Sequence, residues 1–158
     1  MELDSDYAAR ILLGAVALSM TTDGFGSAQH REAQRLLSRL RRAARRKDDD
    51  VWLEAHSAYH GMLEAGAPEP LRRQVRLLAD RSVRYIRIQQ HGEPAHWADA
   101  GDLEHPAILQ FLAEGDHPAA IAALAHHLAG TALRVLADSA PDYVPTAVPC
   151  AIALVEKS

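Results

Sequence analysis

The stretch from Asp102 to Leu136, DLEHPAILQFLAEGDHPAAIAALAHHLAGTALRVL, constrains the fold most, because apolar residues recur at helical spacing on both sides of one glycine turn. Asp102 is predicted to cap the first helix and Gly115 to end it. Asp116 is predicted to cap the second helix, with Pro118 in its first turn, where a missing N–H is harmless. The stretch therefore predicts two consecutive helices with inward apolar faces.

Two histidines of this stretch fall on those apolar faces. His105 and His127 each share a helical face with mainly aliphatic side chains, namely Ile108, Leu109 and Leu112 for the first, and Leu124, Leu128 and Thr131 for the second. A buried polar ring without a partner costs about 1 to 3 kcal/mol. Both imidazoles are therefore expected to have a partner inside the fold.

His56 and His60 repeat the pattern, because residues four apart lie on one side of a helix. Their helix carries an apolar stripe made of Trp52, Ala55, Tyr59, Met62 and Leu63. Four inward histidines on three helices predict a metal site in a helical core, since neutral imidazole binds zinc, nickel, copper or iron well. The alternative is four satisfied core histidines in a metal-free structural or interaction module.

Length and composition narrow the class of protein. A chain of 158 residues buries a sizeable core as one domain, so a metal would be functional rather than a folding staple. Cys150 is the only cysteine, which excludes an internal disulfide and a multi-thiolate zinc site and fits a reducing compartment. The sequence has no charged-then-apolar leader and no apolar run of about 18 residues, so we expect a cytoplasmic protein that does not contact a membrane.

Apolar periodicity predicts an all-α fold of about six helices. The first four helices are expected at 3–21, 28–47, 50–65 and 71–90. The segment 91–101, HGEPAHWADAG, is predicted to be a loop with His91 and His96 at the surface. Residues 139–158 are predicted to form an irregular tail, because Pro141, Pro145 and Pro149 bar a continuous helix.

The cations leave several alternatives open. Arg10 is the only cation of the first helix. Its side chain either reaches a pocket and binds a carboxylate there, or extends its head group to solvent. The residues alone favour the second alternative. Arg81, Arg84 and Arg87 form either a solvated stripe or a cation source for an anionic ligand. The basic end of the second helix is better explained by the helix macrodipole than by nucleic acid, and the net charge of −4 agrees.

The order of helices and the runs HSAYHGMLEAGAPEPL and LEHPAILQFLAEGDHPAAIAALAHHLAG resemble the FCD domain, the effector-binding domain of FadR-type GntR transcription regulators. The resemblance covers residues 3–138. It implies one domain, an antiparallel helical bundle that holds a divalent metal beside a small carboxylate effector, with His60, His105 and His127 at the positions of the family's ligand histidines.

The chain departs from that family pattern at named positions. His56 stands where the family has an aspartate, and the lower negative charge favours zinc, nickel, copper or ferrous iron over magnesium or calcium. Gly14 replaces a family glutamate, and Glu69 replaces an asparagine. The family's winged helix-turn-helix is missing from this sequence, which leaves three alternatives: an excised domain, a stand-alone sensor that works through a partner, or a bundle recruited as an enzyme.

The leading hypothesis is a sensor of a small organic acid, with His56, His60, His105 and His127 holding a divalent transition metal, zinc before nickel or iron. Arg10 or Arg84 would bind the ligand carboxylate, the chain itself would not contact nucleic acid, and a homodimer is possible. The alternative is a stand-alone metalloenzyme that acts on a small carboxylate. Its hydrolytic version is weakened because no inward carboxylate is expected as general base; Glu64 and Glu104 are the nearest in sequence.

Overall fold

The computed structural model describes the backbone of residues 1–92 and 94–157, and the side chains of residues 1–87 and 103–157. Over that backbone the chain forms seven α-helices and no β-strand, which confirms the all-α prediction. The helices are α1 Glu2–Thr21, α2 Ser27–Arg46, α3 Asp49–Leu63, α4 Glu69–Gly92, α5 Pro94–Glu114, α6 His117–Ser139 and α7 Ala147–Val155. A short 3₁₀ turn at Thr22–Gly24 follows α1.

Helix α1 lies at the centre of the bundle, as its apolar sequence predicts. It packs against α4, α6 and α7, while α2 packs against α3 and α5, and α5 packs against α6. Its side chains Leu3, Tyr7, Ile11 and Leu18 are fully or almost fully buried in the main core. Helix α6 is long and apolar enough to span a membrane by composition, but 56% of that window is buried inside the fold, as in the core helix of a bundle.

Local capping residues set the helix ends at Gly115 and Asp116, where the sequence predicts them, and at Asp48. The Asp116 carboxylate accepts a hydrogen bond from the Ala119 N–H at 3.1 Å, with Pro118 in the first turn of α6. Gly115 has a φ of 73°, a left-handed conformation that suits glycine after α5. Asp48 caps α3 by accepting from the Val51 N–H. These helix ends depend on neighbours in sequence, which is why a local pattern finds them.

The prediction of a loop at 91–101 is wrong. Residues 91 and 92 end α4, and 94–101 form the first turns of α5, so Asp102 lies inside that helix and does not cap it. Pro94 is its first residue, the position where proline is favoured in a helix, and alanines follow it. The surface positions predicted for His91 and His96 lie outside the described side chains.

The prediction of an irregular tail is wrong for residues 147–155, which form α7. Pro149 lies in the first turn of α7, where it costs no hydrogen bond. The helix packs on α1 and α6. The Asp4 carboxylate of α1 accepts hydrogen bonds from the N–H groups at its start, Thr146 at 3.0 Å, Ala147 at 3.0 Å and Val148 at 2.9 Å.

The turn between α3 and α4 is pressed against the end of α1. The Gly66 N–H donates to the Thr21 hydroxyl at 3.0 Å, and a methyl group added at Gly66 would lie 2.4 Å from the Met20 carbonyl oxygen. Only glycine allows this approach of two backbones. The contact fixes the C-terminal end of α3, which carries two of the four candidate ligands, against α1.

Candidate metal centre and ligand cavity

Helices α3, α5 and α6 bring the four predicted histidines together. His56 and His60 come from α3, His105 from α5 and His127 from α6, and all four are buried. One ring nitrogen from each lies within 4.8 Å of those of the other three. Among the described side chains this is the one group of three or more potential ligands that is gathered in this way.

Neighbouring aromatic side chains hold the α3 and α5 histidines in place. The Trp52 ring stacks on His56 with a centroid distance of 4.6 Å and an interplanar angle of 15°. The Tyr59 hydroxyl donates a hydrogen bond to the His105 carbonyl oxygen at 2.9 Å, which ties α3 to α5 beside the cluster. The same stripe that buries α3 therefore also orients its histidines.

Glu104 and Arg134 orient the fourth histidine. The His127 Nδ1 atom and a Glu104 carboxylate oxygen are 2.7 Å apart, and the Arg134 guanidinium lies 3.6 Å from the other oxygen of Glu104. A carboxylate bound at Nδ1 leaves Nε2 as the ring atom available to an ion, as second-shell carboxylates do for metal-bound histidines. Burial raises the pKa of Glu104, but the hydrogen bond with His127 and the charge of Arg134 outweigh it and hold that pKa below its usual value.

The electrostatics of the cluster keep the imidazoles in the form that binds metals. Burial, together with the mutual repulsion of the rings, lowers the pKa of His56 and His60 well below the usual value. Burial also lowers the pKa of His127, although Glu104 acts in the opposite direction. At neutral pH these rings are neutral, with a nitrogen lone pair available for a cation.

The donor set fits a transition-metal ion. The His60 Nε2 atom is buried and has no hydrogen-bond partner among the described residues, so its desolvation is uncompensated within that part of the fold. Metal–nitrogen bonds of about 2.0 to 2.1 Å place ligand nitrogens roughly 3 to 4 Å apart, so the farthest pair needs to approach by roughly an ångström. Imidazole ligands favour zinc, nickel, copper or iron over magnesium or calcium.

A cavity of about 140 Å³ opens on the α3 side of the cluster. His56 and His60 line it together with Arg10, Glu64, Arg76 and Asp80, and with apolar side chains of α3 and α4. Arg10 is only 5% exposed, so the preference for a solvent-directed head group is wrong and the side chain lies in the pocket, while its binding of a carboxylate stays a prediction. The cation reaches the cavity because α1 is central and carries Arg10 on its buried face.

Arg84, the other predicted ligand-binding arginine, is not brought into this cavity. Its side chain is exposed, and its guanidinium lies over the Tyr85 ring at 4.5 Å from the centroid. Arg81 and Arg87 form surface ion pairs with Asp6 at 3.3 Å and Asp50 at 2.9 Å. All three arginines are exposed, so they form the solvated stripe that the sequence left as one alternative.

Glu64 points into the cavity, although the sequence names it only as one of the two nearest carboxylates and gives no obvious inward one. Glu64 is only 9% exposed and lines the cavity beside His60, so the expectation is wrong for this residue. Burial raises the pKa of its carboxyl to about 7, and the charges of Arg10, Arg76 and Arg72 offset that effect only in part. Its position four residues after His60 was the available signal, since that spacing keeps a side chain on one helix face.

The chain matches a known protein family over most of its length. The model of the FCD domain family matches residues 6–130 of the 158-residue chain, a span that contains all four histidines, Arg10 and Glu64. Neither the curated proteins nor the solved structures contain a match to the chain.

Proposed function

Because the chain belongs to the FCD domain family, the effector-binding domains of GntR-type regulators, we propose that it senses a small organic acid through a bound transition-metal ion. His56, His60, His105 and His127 would hold the ion, with zinc the first choice and nickel or iron the next. The observation that carries this proposal is the convergence of four buried imidazoles, whose ligand atoms lie within 4.8 Å of one another.

The cavity beside the cluster supplies the ligand part of the proposal. Arg10 is buried there and faces the same space as His56 and His60. A guanidinium binds a carboxylate with two parallel hydrogen bonds, and such pairs are strongest where water is excluded. The ligand carboxylate would therefore bind between Arg10 and the ion held by the four histidines, which would supply a second positive charge for it.

A sensor must also couple ligand binding to a change in the protein. The ligand would contact side chains of α1, α3 and α4, so it would favour the packing of these helices that brings Arg10 and the histidines closest. Ligand binding then shifts the population between two packings of the bundle. The cytoplasmic location and the homodimer stay predictions, as does signalling through a DNA-binding partner or segment.

Metal content tests the site most simply, and the chain offers a matched control. His126 and His127 are neighbours on α6, but His126 is exposed and pairs with Glu156 at 3.0 Å, whereas His127 is buried in the cluster. After loading with zinc and desalting, mass spectrometry of wild-type protein and His126→Ala should find one zinc per chain, and His127→Ala far less. Equal zinc in the two variants would refute the assigned ligand set.

Carboxylate binding tests the second half of the proposal. Titration calorimetry of the zinc-loaded protein with small carboxylates should give binding that Arg10→Gln weakens by at least about tenfold, because a buried charge-assisted pair is lost. Arg84→Gln is the control, since Arg84 is exposed outside the cavity. A loss in Arg84→Gln with normal binding in Arg10→Gln would reverse the assignment.

One observation favours the metalloenzyme as a second candidate. Glu64 places a carboxyl in the same cavity as His60, which is the group that a hydrolytic site needs as general base. Incubation of zinc-loaded and iron-loaded protein with small carboxylate esters and amides, followed by mass spectrometry, tests this candidate. Turnover that Glu64→Gln abolishes would support an enzyme, and unchanged substrates would leave the sensor as the function.

A further inference from the structure

The cavity contains two buried groups of opposite charge that form no ion pair with each other. Arg10 on α1 and Glu64 at the end of α3 both line it, and they are 5% and 9% exposed. The charge of Arg10 acts on Glu64, but no hydrogen bond joins the two groups. Burial of a cation and an acid that face one space without an ion pair costs free energy, unless a bound ligand forms an ion pair with each of them.

The other cations near Glu64 already have an acidic partner. Arg72 and Arg76 both bind the Glu69 carboxylate, at 2.9 Å and 2.6 Å. The Glu64 carboxyl makes no hydrogen bond or ion pair with the side chains of residues 1–87 and 103–157. Within that part of the fold, Glu64 is a buried acid without an ion-pair partner.

We infer that the cavity takes a small zwitterion, an α-amino carboxylate, whose carboxylate binds Arg10 and whose ammonium group binds Glu64. This inference rests on the proposed function, because it names the chemical class of ligand for the same cavity. A simple monocarboxylate would satisfy Arg10 and leave Glu64 without a partner. A dicarboxylate would place a second negative charge in a cavity that already contains an acid.

The size of the cavity limits the ligand to a few non-hydrogen atoms. Its volume of about 140 Å³ is close to that of an engineered protein cavity of about 150 Å³ that binds benzene, a molecule of six carbon atoms. Alanine has the same number of non-hydrogen atoms as benzene. The ligand is therefore expected among the smallest amino acids rather than the aromatic or basic ones.

Three pairs of probes isolate the ammonium group. Alanine and lactate, glycine and glycolate, and serine and glycerate each differ in one ammonium group replaced by a hydroxyl. In titration calorimetry of the zinc-loaded protein, the amino acid of at least one pair should bind at least about tenfold more tightly, because it forms a second charge-assisted contact. Zinc is measured after each titration, so that removal of the ion by the amino acid is not mistaken for binding.

Two isosteric variants attribute the preference to one side chain. Glu64→Gln keeps the shape of the side chain and should bring each pair within about threefold, since the ion pair is lost while the carboxylate contact stays. Glu54→Gln is the matched control, because Glu54 lies on the same helix but is exposed and pairs with Arg39. It should keep the wild-type preference.

The outcomes separate this inference from the proposed function. Tighter binding of the hydroxy acids, or a preference that Glu64→Gln leaves unchanged, overturns the zwitterion and leaves a carboxylate sensor that depends on Arg10. No binding of any probe to the zinc-loaded protein overturns both. A preference for the amino acids that Glu64→Gln removes and Glu54→Gln retains establishes the assignment.

Discussion

The Asp4 contact and the histidine cluster are two buried polar centres among the described residues, and they differ in how completely the protein satisfies them. At the α1–α7 contact, the Asp4 carboxylate accepts hydrogen bonds from three backbone N–H groups and from the Tyr143 hydroxyl at 2.8 Å. At the histidine cluster, the His60 Nε2 atom has no hydrogen-bond partner among the described residues. The first centre is complete and therefore structural, whereas the second requires a bound group.

Replacement of Asp4 should have the largest effect on stability. Asp4→Ala leaves the first N–H groups of α7 without their acceptor, so we expect a loss of about 4 kcal/mol in the free energy of unfolding. Urea denaturation followed by circular dichroism measures it. Glu32→Ala is the control, because Glu32 forms an exposed pair with Arg35 and its loss should leave the free energy of unfolding almost unchanged. Equal losses in the two variants would mean that Asp4 does not hold α7.

The pH dependence of the Asp4 contribution has a definite sign. Burial raises the pKa of Asp4, but the hydrogen bonds from Val148, Ala147, Thr146 and Tyr143 outweigh it and hold that pKa below its usual value. A depressed pKa in the folded state stabilises the protein above the unfolded pKa of about 3.9, and this stabilisation is lost as the pH falls through the folded value. Asp4→Asn should therefore remove part of the acid sensitivity below about pH 4.

Metal binding should stabilise the second centre and leave the first unchanged. An ion that binds only the folded protein adds about 2.7 kcal/mol when its concentration is one hundred times the dissociation constant. Zinc should therefore raise the unfolding free energy of wild-type protein and of Asp4→Ala by similar amounts, and a chelator should remove the increase. The same zinc titration of His105→Ala should show little stabilisation. An increase in the unfolding free energy of His105→Ala as large as that of wild type would mean that zinc binds outside the histidine cluster.

Loss of the Glu104 contact should weaken metal binding without abolishing it. Glu104→Gln keeps a hydrogen-bond acceptor near His127 but removes the negative charge, so we expect zinc affinity to fall by about ten- to a hundredfold. Competition with a coloured chelator measures that change. Glu114→Gln is the control, because Glu114 is an exposed residue near the end of α5 that pairs with Gln110 at 2.9 Å. Unchanged zinc affinity in Glu104→Gln would show that Glu104 does not orient His127 for metal binding.

Replacement of Glu64 should change the free energy of unfolding least, and this change should depend on pH in the direction opposite to that of Asp4. Its pKa is raised to about 7 by burial, so the acid form favours folding and this stabilisation is lost as the pH rises through about 7. The histidines titrate in the same range, so the relevant quantity is the difference between Glu64→Gln and wild type. We expect the variant to gain about 1 to 2 kcal/mol relative to wild type between pH 4.5 and 8. A difference between Glu64→Gln and wild type that does not change with pH would contradict a Glu64 carboxyl whose pKa is raised by burial.

These two centres also show what the sequence predicts well. Residues four apart share a helix face, so the inward positions of His56 and His60 follow from α3 alone, and the caps at Asp116 and Gly115 follow from their neighbours. The histidine set was predicted because each member lies on the apolar stripe of its own helix. Apolar periodicity specifies which side chains of a helix point into the core, and this information is sufficient to select the four histidines.

The rest depends on contacts between residues distant in sequence. Asp4 acts as the cap of a helix that begins 143 residues later, at Ala147, and no local pattern announces that partner. Arg10 and Glu64 lie on different helices, and only the packing of α1 against the rest of the bundle shows that both line one cavity. The start of α5 was missed because glycine and polar residues before Asp102 suggested a loop, whereas Pro94 is the first residue of the helix.

X-ray absorption at the zinc edge of the loaded protein tests the central claim most directly. Four histidine ligands predict a first shell of nitrogen or oxygen atoms at about 2.0 to 2.1 Å with the outer-shell scattering of four imidazole rings. The His127→Ala protein, measured at a zinc concentration that restores binding, should lose one ring while His126→Ala keeps all four. A shell without imidazole scattering, or a ring count that is the same in both variants, would contradict a metal centre built from these histidines.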